Sequence, residues 1–147
     1  MALAPETRVF LDTNVIFSGL YSHGGAPGVI IEAFVKGEIK AVISQQVLEE
    51  LVRTVKEKLP VVIPVLKAML VNSPPEIVPD PSAAEIKTWA SLLEAGDAAI
   101  LAAVISSRAD YFVTGDNHFF ENRDVIKKAG ISILTPAQFI ARMGKQK

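Results

Sequence analysis

Asp12, Asp97 and Asp116 are spread over most of the chain, yet each stands where an apolar segment begins or ends. Asp12 closes VFLD, Asp116 closes YFVTGD, and Asp97 opens the run AAILAAVI. A fourth acid comes from the pair Glu49–Glu50, within a helical pattern. An acid on a helix face is ordinary, but an acid that ends an apolar strand is held at the rim of the core. Oxygen ligands gathered in this way suit a hard cation such as Mg2+ or Mn2+, which can then act on phosphate.

Each acid also has a plainer reading. Asp12, in LDTN, can cap the helix that follows, and as a ligand it would be oriented by Thr13 and Asn14. Asp116, in VTGD, can belong to a simple strand-to-loop turn, where Gly115 permits a close backbone approach and Thr114 supports the turn through its hydroxyl. Asp97 in a first helical turn gains about 0.3–1 kcal/mol from the helix dipole. At about 100° per residue, Glu49 and Glu50 lie similarly far from the centre of the apolar face, so periodicity leaves the choice between them open.

The elements that must position these acids alternate between strand and helix. RVFLD reads as a strand. TNVIFSGL is helix-competent and is interrupted by SHGGAPG, and GVIIEAFVKG reads as a helix stopped by Gly37. KAVIS is a second strand. Ser44 then caps a helix over QQVLEELVRTVKEKL, with Val47, Leu48, Leu51, Val52 and Val55 on one face. Pro60 and Pro64 interrupt the chain before a short helix at VLKAMLV. Glu76, Ile77 and Val78, among four prolines, suit an edge strand. SAAEIKTWASLLEA reads as one helix with a Ser82–Glu85 capping box, ended by Gly96, with Trp89 as packing. Asp97 begins a helix that is apolar nearly all round. ADYFVTGD is a strand and its exit, Asn122 to Ala129 a helical turn stopped by Gly130, ISIL a last strand, and TPAQFIARM a helix capped by Thr135. Strands alternating with helices imply a mostly parallel sheet covered on both faces. Such sheets bind ligands beyond the carboxyl ends of their strands, at the switch in strand order. Asp12 and Asp116 both stand at carboxyl ends.

With 147 residues the chain suits one domain. Half the residues are hydrophobic and the mean hydropathy is +0.33, but no run approaches the roughly 18 residues of a membrane span. The apolar excess points to buried elements, an oligomer interface or a partner groove, and a homodimer is the expected assembly. MALAPETR lacks the pattern of a secretory signal and there is no cysteine, so cytoplasmic residence is expected, with neither a disulfide frame nor a thiolate zinc site. Fifteen basic against 16 acidic residues give a net charge of −1. That balance excludes nucleic-acid binding by bulk electrostatics alone, so such a substrate needs a bound cation, a local basic rim or a partner chain.

In order and spacing, LDTN, S-x-x-x-L-x-E-L, G-D-A-A-I-L-A-A and A-D-Y-F-V-T-G-D resemble the PIN domain family of metal-dependent ribonucleases. The resemblance runs from about Arg8 to Phe139 and is greatest to the small prokaryotic toxins of toxin–antitoxin pairs. It implies a single PIN-like domain, residues 1–147 with a core of about 8–140, built on a sheet of about five mostly parallel strands with helices on both faces. Arg8 to Asp12 would lie centrally, beside Tyr111 to Thr114. It implies that Asp12, Glu50, Asp97 and Asp116 form the acidic cluster, settling the glutamate choice for Glu50, and that Asn14 and Thr114 support the acids. Many relatives carry a further acid two residues after the position of Asp116. Here that residue is His118, which weakens the expectation of a second metal site.

The expected activity is hydrolysis of RNA phosphodiester bonds by one or two Mg2+ or Mn2+ ions, with an antitoxin protein as possible partner. Two alternatives stand beside it. One is a PIN-like interaction module with little catalysis. The other is a magnesium-dependent phosphatase using Asp12 as nucleophile, although LDTN lacks the second acid such enzymes usually show. His118 could donate to a phosphate or bind a soft metal, but reads most simply as a surface-loop histidine; His23 receives no role, and GKQK with Arg142, basic enough to touch a phosphate backbone, reads as a solvated tail.

Overall fold

The first strand, β1 (Arg8–Leu11), is buried on both of its faces, with Val9, Phe10 and Leu11 fully inaccessible. The structure, a computed structural model, describes residues 3–144; residues 145–147 of the basic tail lie outside the described part. Beside β1 run β2 (Lys40–Ser44) on one side and β4 (Tyr111–Val113) on the other, with β3 (Glu76–Val78) and β5 (Ser132–Leu134) at the edges. The order is β3-β2-β1-β4-β5 and every pairing is parallel. A strand with consecutive buried residues is covered above and below, which accounts for the unbroken apolar runs of β1, β2 and β4. The expected α/β architecture, with five strands and β1 paired to β4, is what forms. Arg8 reaches across β2 to Glu76 with two guanidinium hydrogen bonds, at 2.9 and 2.8 Å, and so ties the short edge strand to the sheet.

The helices follow the sequence signals closely. They are α1 (Thr13–Tyr21), α2 (Ala26–Val35), α3 (Gln45–Lys58), α4 (Ile63–Asn72), α5 (Ala83–Lys87), α6 (Ala95–Ser107), α7 (His118–Glu121), α8 (Arg123–Ala129) and α9 (Pro136–Arg142). The Ser44 hydroxyl accepts from the Val47 N–H to start α3, and Val47, Leu51 and Val55 form its buried stripe. Capping boxes begin α5 and α9. Gly37 and Gly130 adopt positive φ where α2 and α8 end.

One expectation fails. The segment after Ser82 is not a single helix ended by Gly96. α5 stops at Lys87, and residues 88–93 form turns held by bonds such as Leu92 N–H to the Trp89 carbonyl, at 3.0 Å. The break sends Trp89 inward, to 4% exposure, with the Lys128 ammonium 5.0 Å from its ring centroid. Gly96 is instead the second residue of α6, and Asp97 the third. That helix is buried as its composition implied, with Ile100 to Val104 all inaccessible or nearly so.

No helix among the described residues is long and apolar enough to cross a membrane.

Candidate metal centre at the strand switch point

The order β3-β2-β1-β4-β5 reverses direction between β1 and β4, so the crevice of the fold opens where these two strands end. The register pairs Leu11 with Val113, and the Asp12 N–H continues the ladder to the Val113 carbonyl at 3.1 Å. Asp12 therefore stands opposite Thr114. Its carboxylate is buried, with 4% residue exposure, and both oxygens are engaged. Oδ1 accepts from the Thr13 N–H at 2.8 Å, while Oδ2 accepts from the Thr114 hydroxyl at 2.8 Å and the Asn14 amide at 3.3 Å. Asp12 is thus the cap of α1 as well as the innermost acid, and the two readings of LDTN describe one arrangement.

Burial pushes the Asp12 carboxyl up to about 6, with the charges of Glu50 and Asp116 adding to the rise and the Thr114 and Thr13 hydrogen bonds opposing it. Those two acids therefore lie close enough to repel it. Glu50 is half-buried on α3 and accepts from the Thr13 hydroxyl at 3.2 Å and the Gln46 amide at 3.1 Å. Glu49 is exposed and, among the described residues, accepts from Gln45 of its own helix alone.

On the other side, Asp116 follows a turn fixed from two directions. The Thr114 hydroxyl accepts the Asp116 N–H at 3.0 Å, and Asn14 Oδ1 accepts the Gly115 N–H at 2.8 Å. A methyl group on Gly115 would stand 3.2 Å from that same Asn14 oxygen, a tighter approach than most Cβ atoms make. Asp97, from the first turn of α6, meets Asp116 around the His118 ring: His118 Nδ1 lies 3.1 Å from Asp97 Oδ2 and 3.3 Å from Asp116 Oδ1. Burial raises the pKa of Asp97, the Asp116 charge adds to this, and the His118 contact opposes it. The hydrogen bond to Asp97 and the charges of both carboxylates raise that of His118. A cavity of about 480 Å3 opens beside this group, lined among others by Glu94, Asp97, His118, Glu121 and Arg123.

Glu50 and Asp116 thus bear on Asp12 through their charges and through Thr13 and Thr114, Asn14 joins Asp12 to the Gly115 turn, and Asp97 meets Asp116 around His118. Gln46 is unexpected from sequence, and His118 reads from sequence as a surface-loop residue. Gln46 spans the gap between α3 and α6, donating to Glu50 and, at 3.4 Å, to the Gly96 carbonyl. Its sequence signal was the i, i+4 spacing to Glu50, which places both on one helix face. His118 is not a loose loop residue but the first residue of α7, fixed between two acids. Its signal was the D-x-H spacing after Asp116. His23 is exposed and distant from these contacts, and Arg142 lies over the Tyr111 ring, 5.9 Å from its centroid.

Residues 8–118 match the PIN domain family. The chain belongs to the PIN domain family. No curated protein matches it significantly. Several solved structures share its fold. VapBC2 from Rickettsia felis, bound to a DNA fragment from its promoter, is 22% identical with a TM-score of 0.60, over 87% of this chain and 97% of that one. FitAcB from Neisseria gonorrhoeae is 21% identical with a TM-score of 0.63, over 88% of this chain and 98% of that one. PAE2754 from Pyrobaculum aerophilum is 18% identical with a TM-score of 0.60, over 95% of this chain and 97% of that one. At these identities the likeness is one of fold. In this PIN domain the donor set suits a divalent cation: one ligand atom each from Asp97, Asp116 and His118 lies within 4.8 Å of the others, and burial disfavours the charge of the neighbouring Asp12.

Proposed function

We propose that this PIN domain is a metal-dependent endoribonuclease, the toxin of a toxin–antitoxin pair, and that Asp12, Glu50, Asp97 and Asp116 hold one or two Mg2+ or Mn2+ ions. The carrying observation is Asp12, buried and with both oxygens oriented, at the switch point where other acids converge. A crevice with this many carboxylates repels phosphate by itself, and a chain of net charge −1 does not offset that repulsion. A bound divalent cation would reverse the local sign, lower the pKa of a bound water and neutralise charge on the scissile phosphate. The chain's own residues do the rest. Thr114 holds Asp12 in one rotamer, Thr13 and Gln46 hold Glu50, and Asn14 fixes the Gly115–Asp116 turn. The chain has no cysteine, and no serine–histidine side-chain hydrogen bond is found among the described residues, where His118 pairs with Asp97, so the reading needs no covalent intermediate.

Antitoxin partnership is part of the same proposal. Structures similar in fold include FitAB bound to a DNA fragment, 17% identical with a TM-score of 0.64, as well as the VapBC2 complex. One observation favours the interaction reading alongside catalysis. An apolar groove of about 550 Å3 runs between α2 and α4, lined by Ile31, Val35, Val65 and Met69. The phosphatase reading is not favoured, because the residue two positions after Asp12 is Asn14 rather than a second acid, and Asn14 is engaged with Asp12 and the Gly115 N–H.

The test is cleavage of end-labelled single-stranded RNA by the purified chain with Mn2+, with Mg2+ and with chelator. Cleavage that needs the cation and disappears in Asp12→Asn is expected. Undiminished cleavage under chelation would remove the metal mechanism. Cation binding without cleavage of any RNA would leave the interaction module.

A further inference from the structure

We infer that His118 is a nitrogen ligand of the cation in this centre, and that the site therefore takes a first-row transition ion such as Mn2+ or Zn2+ in preference to Mg2+. The inference rests on the proposed metal centre and specifies the class of ion it holds. One ligand atom each from Asp97, Asp116 and His118 lies within 4.8 Å of the others. The Nδ1 atom is 3.1 Å from one carboxylate and 3.3 Å from the other. Two ligands at right angles around an ion, each about 2.1 Å from it, stand about 3.0 Å apart. Both distances from Nδ1 are close to that value, so the ring and the two carboxylates need little movement to share one ion.

The placement of the ring is built into the fold. The His118 N–H donates to Asp116 Oδ1 at 2.9 Å, so one turn sets both side chains. The next residue, Phe119, is fully buried and packs edge-on against Phe112, with centroids 5.1 Å apart. That contact pins α7 to the central sheet and holds the His118 backbone. The ring itself remains accessible, at 58% side-chain exposure, so a hydrated ion can reach it.

The chemistry of the donor then decides the ion. Mg2+ favours oxygen donors and gives up its waters reluctantly. Imidazole nitrogen binds more strongly along the series from Mn2+ toward Cu2+ and suits zinc well. A carboxylate at this position would leave an all-oxygen site. Histidine replaces one oxygen with nitrogen and one negative charge with none. The lost charge weakens every divalent ion, and the nitrogen donor weakens Mg2+ more than a transition ion.

The experiment uses the full chain stripped of metal. Mn2+ and Mg2+ are titrated separately by calorimetry, and the Mn2+ form is measured by pulsed electron paramagnetic resonance for coupling to nitrogen-14. The wild type is expected to show coupling from a directly bound imidazole and to bind Mn2+ at least tenfold more tightly than Mg2+. His118→Ala should lose the coupling and about tenfold in Mn2+ affinity, with less than a twofold change for Mg2+. His118→Asp should narrow the Mn2+/Mg2+ ratio by raising Mg2+ affinity. Mn2+ bound without nitrogen coupling, or an equal response of both ions to His118→Ala, overturns the inference, reduces His118 to an ion-pair partner and leaves the metal centre standing. If the wild type binds neither ion, the metal centre and the inference fall together.

Discussion

The Thr114 hydroxyl donates to Asp12 Oδ2 at 2.8 Å and accepts the Asp116 N–H at 3.0 Å, so one oxygen joins the acids at the ends of β1 and β4. Thr114 is fully buried. Thr114→Val keeps the shape and removes the oxygen, leaving a buried carboxylate and a backbone N–H each short of a partner. We expect a loss of about 1–3 kcal/mol in stability, together with a large fall in RNA cleavage. Denaturant unfolding of the metal-free variant checks the first part. A variant as stable as the wild type would show that the hydroxyl bridge contributes nothing net.

The raised pKa of Asp12 carries a stability signature. Its folded-state value of about 6 lies above the ordinary 3.8, so the folded chain holds this proton more tightly than the unfolded chain does. The contribution is fully present below about pH 4 and is lost as pH rises through about 6. Two pKa units correspond to roughly 3 kcal/mol, an order-of-magnitude figure. Asp97 and His118 are shifted in the same direction, so the metal-free protein should be more stable in mild acid than at pH 7.5. Asp12→Asn should flatten the fall between pH 4 and 6, stabilise the metal-free fold at pH 7 and abolish cleavage. A melting temperature of the wild type that rises steadily from pH 4 to 7 would contradict this.

Metal should reverse that penalty. A cation that binds only the folded state contributes about 2.7 kcal/mol at one hundred times its dissociation constant. For a chain of this size the melting temperature should rise on the order of 5–10 °C. Manganese should produce the rise, and a monovalent salt at matched ionic strength should give less. Asp97→Asn should melt higher than the wild type without metal and respond less to manganese, because repulsion from Asp116 and a ligand are removed together. A variant that melts lower without metal and responds fully would make Asp97 an ordinary first-turn acid.

The two glutamates of α3 should separate clearly. Glu50 accepts from Thr13 and Gln46, whereas Glu49 is exposed and, among the described residues, accepts a hydrogen bond from Gln45 alone. Glu50→Gln should cut cleavage by at least tenfold, and Glu49→Gln should leave it within about twofold. Equal losses would move the assignment away from Glu50.

Exposed valines predict assembly. Val35, Val61, Val65 and Val71, on α2, α4 and the turn leading into α4, are 46–78% exposed, an apolar excess that a homodimer or an antitoxin would cover. Light scattering at micromolar concentration should give twice the chain mass. A clean monomer at high concentration would sink the homodimer and leave a heterologous partner.

Apolar runs, caps and turn residues in the sequence were sufficient for the α/β class and for most elements, because each reports local physics. Ser44, Ser82 and Thr135 cap helices through their own hydroxyls, and Gly37 and Gly130 supply positive φ. Asp12 and Asp116 could be placed at strand ends for the same reason. The neighbours of those strands depend on packing across the chain. Only the β3-β2-β1-β4-β5 order makes Asp12 face Thr114, 102 positions away. The side a helix turns to the crevice is likewise a tertiary matter: helical geometry left Glu49 and Glu50 equivalent until α3 packed against α1 and Thr13 reached Glu50. The helix begun by the Ser82 capping box stops at Lys87 and Trp89 is buried beyond it, which capping and propensity did not indicate. His118 was the least legible residue. Its role follows from Asp97, brought from another helix to within 3.1 Å, and no local pattern encodes a contact made across 21 residues by the packing of α6 beside the exit of β4.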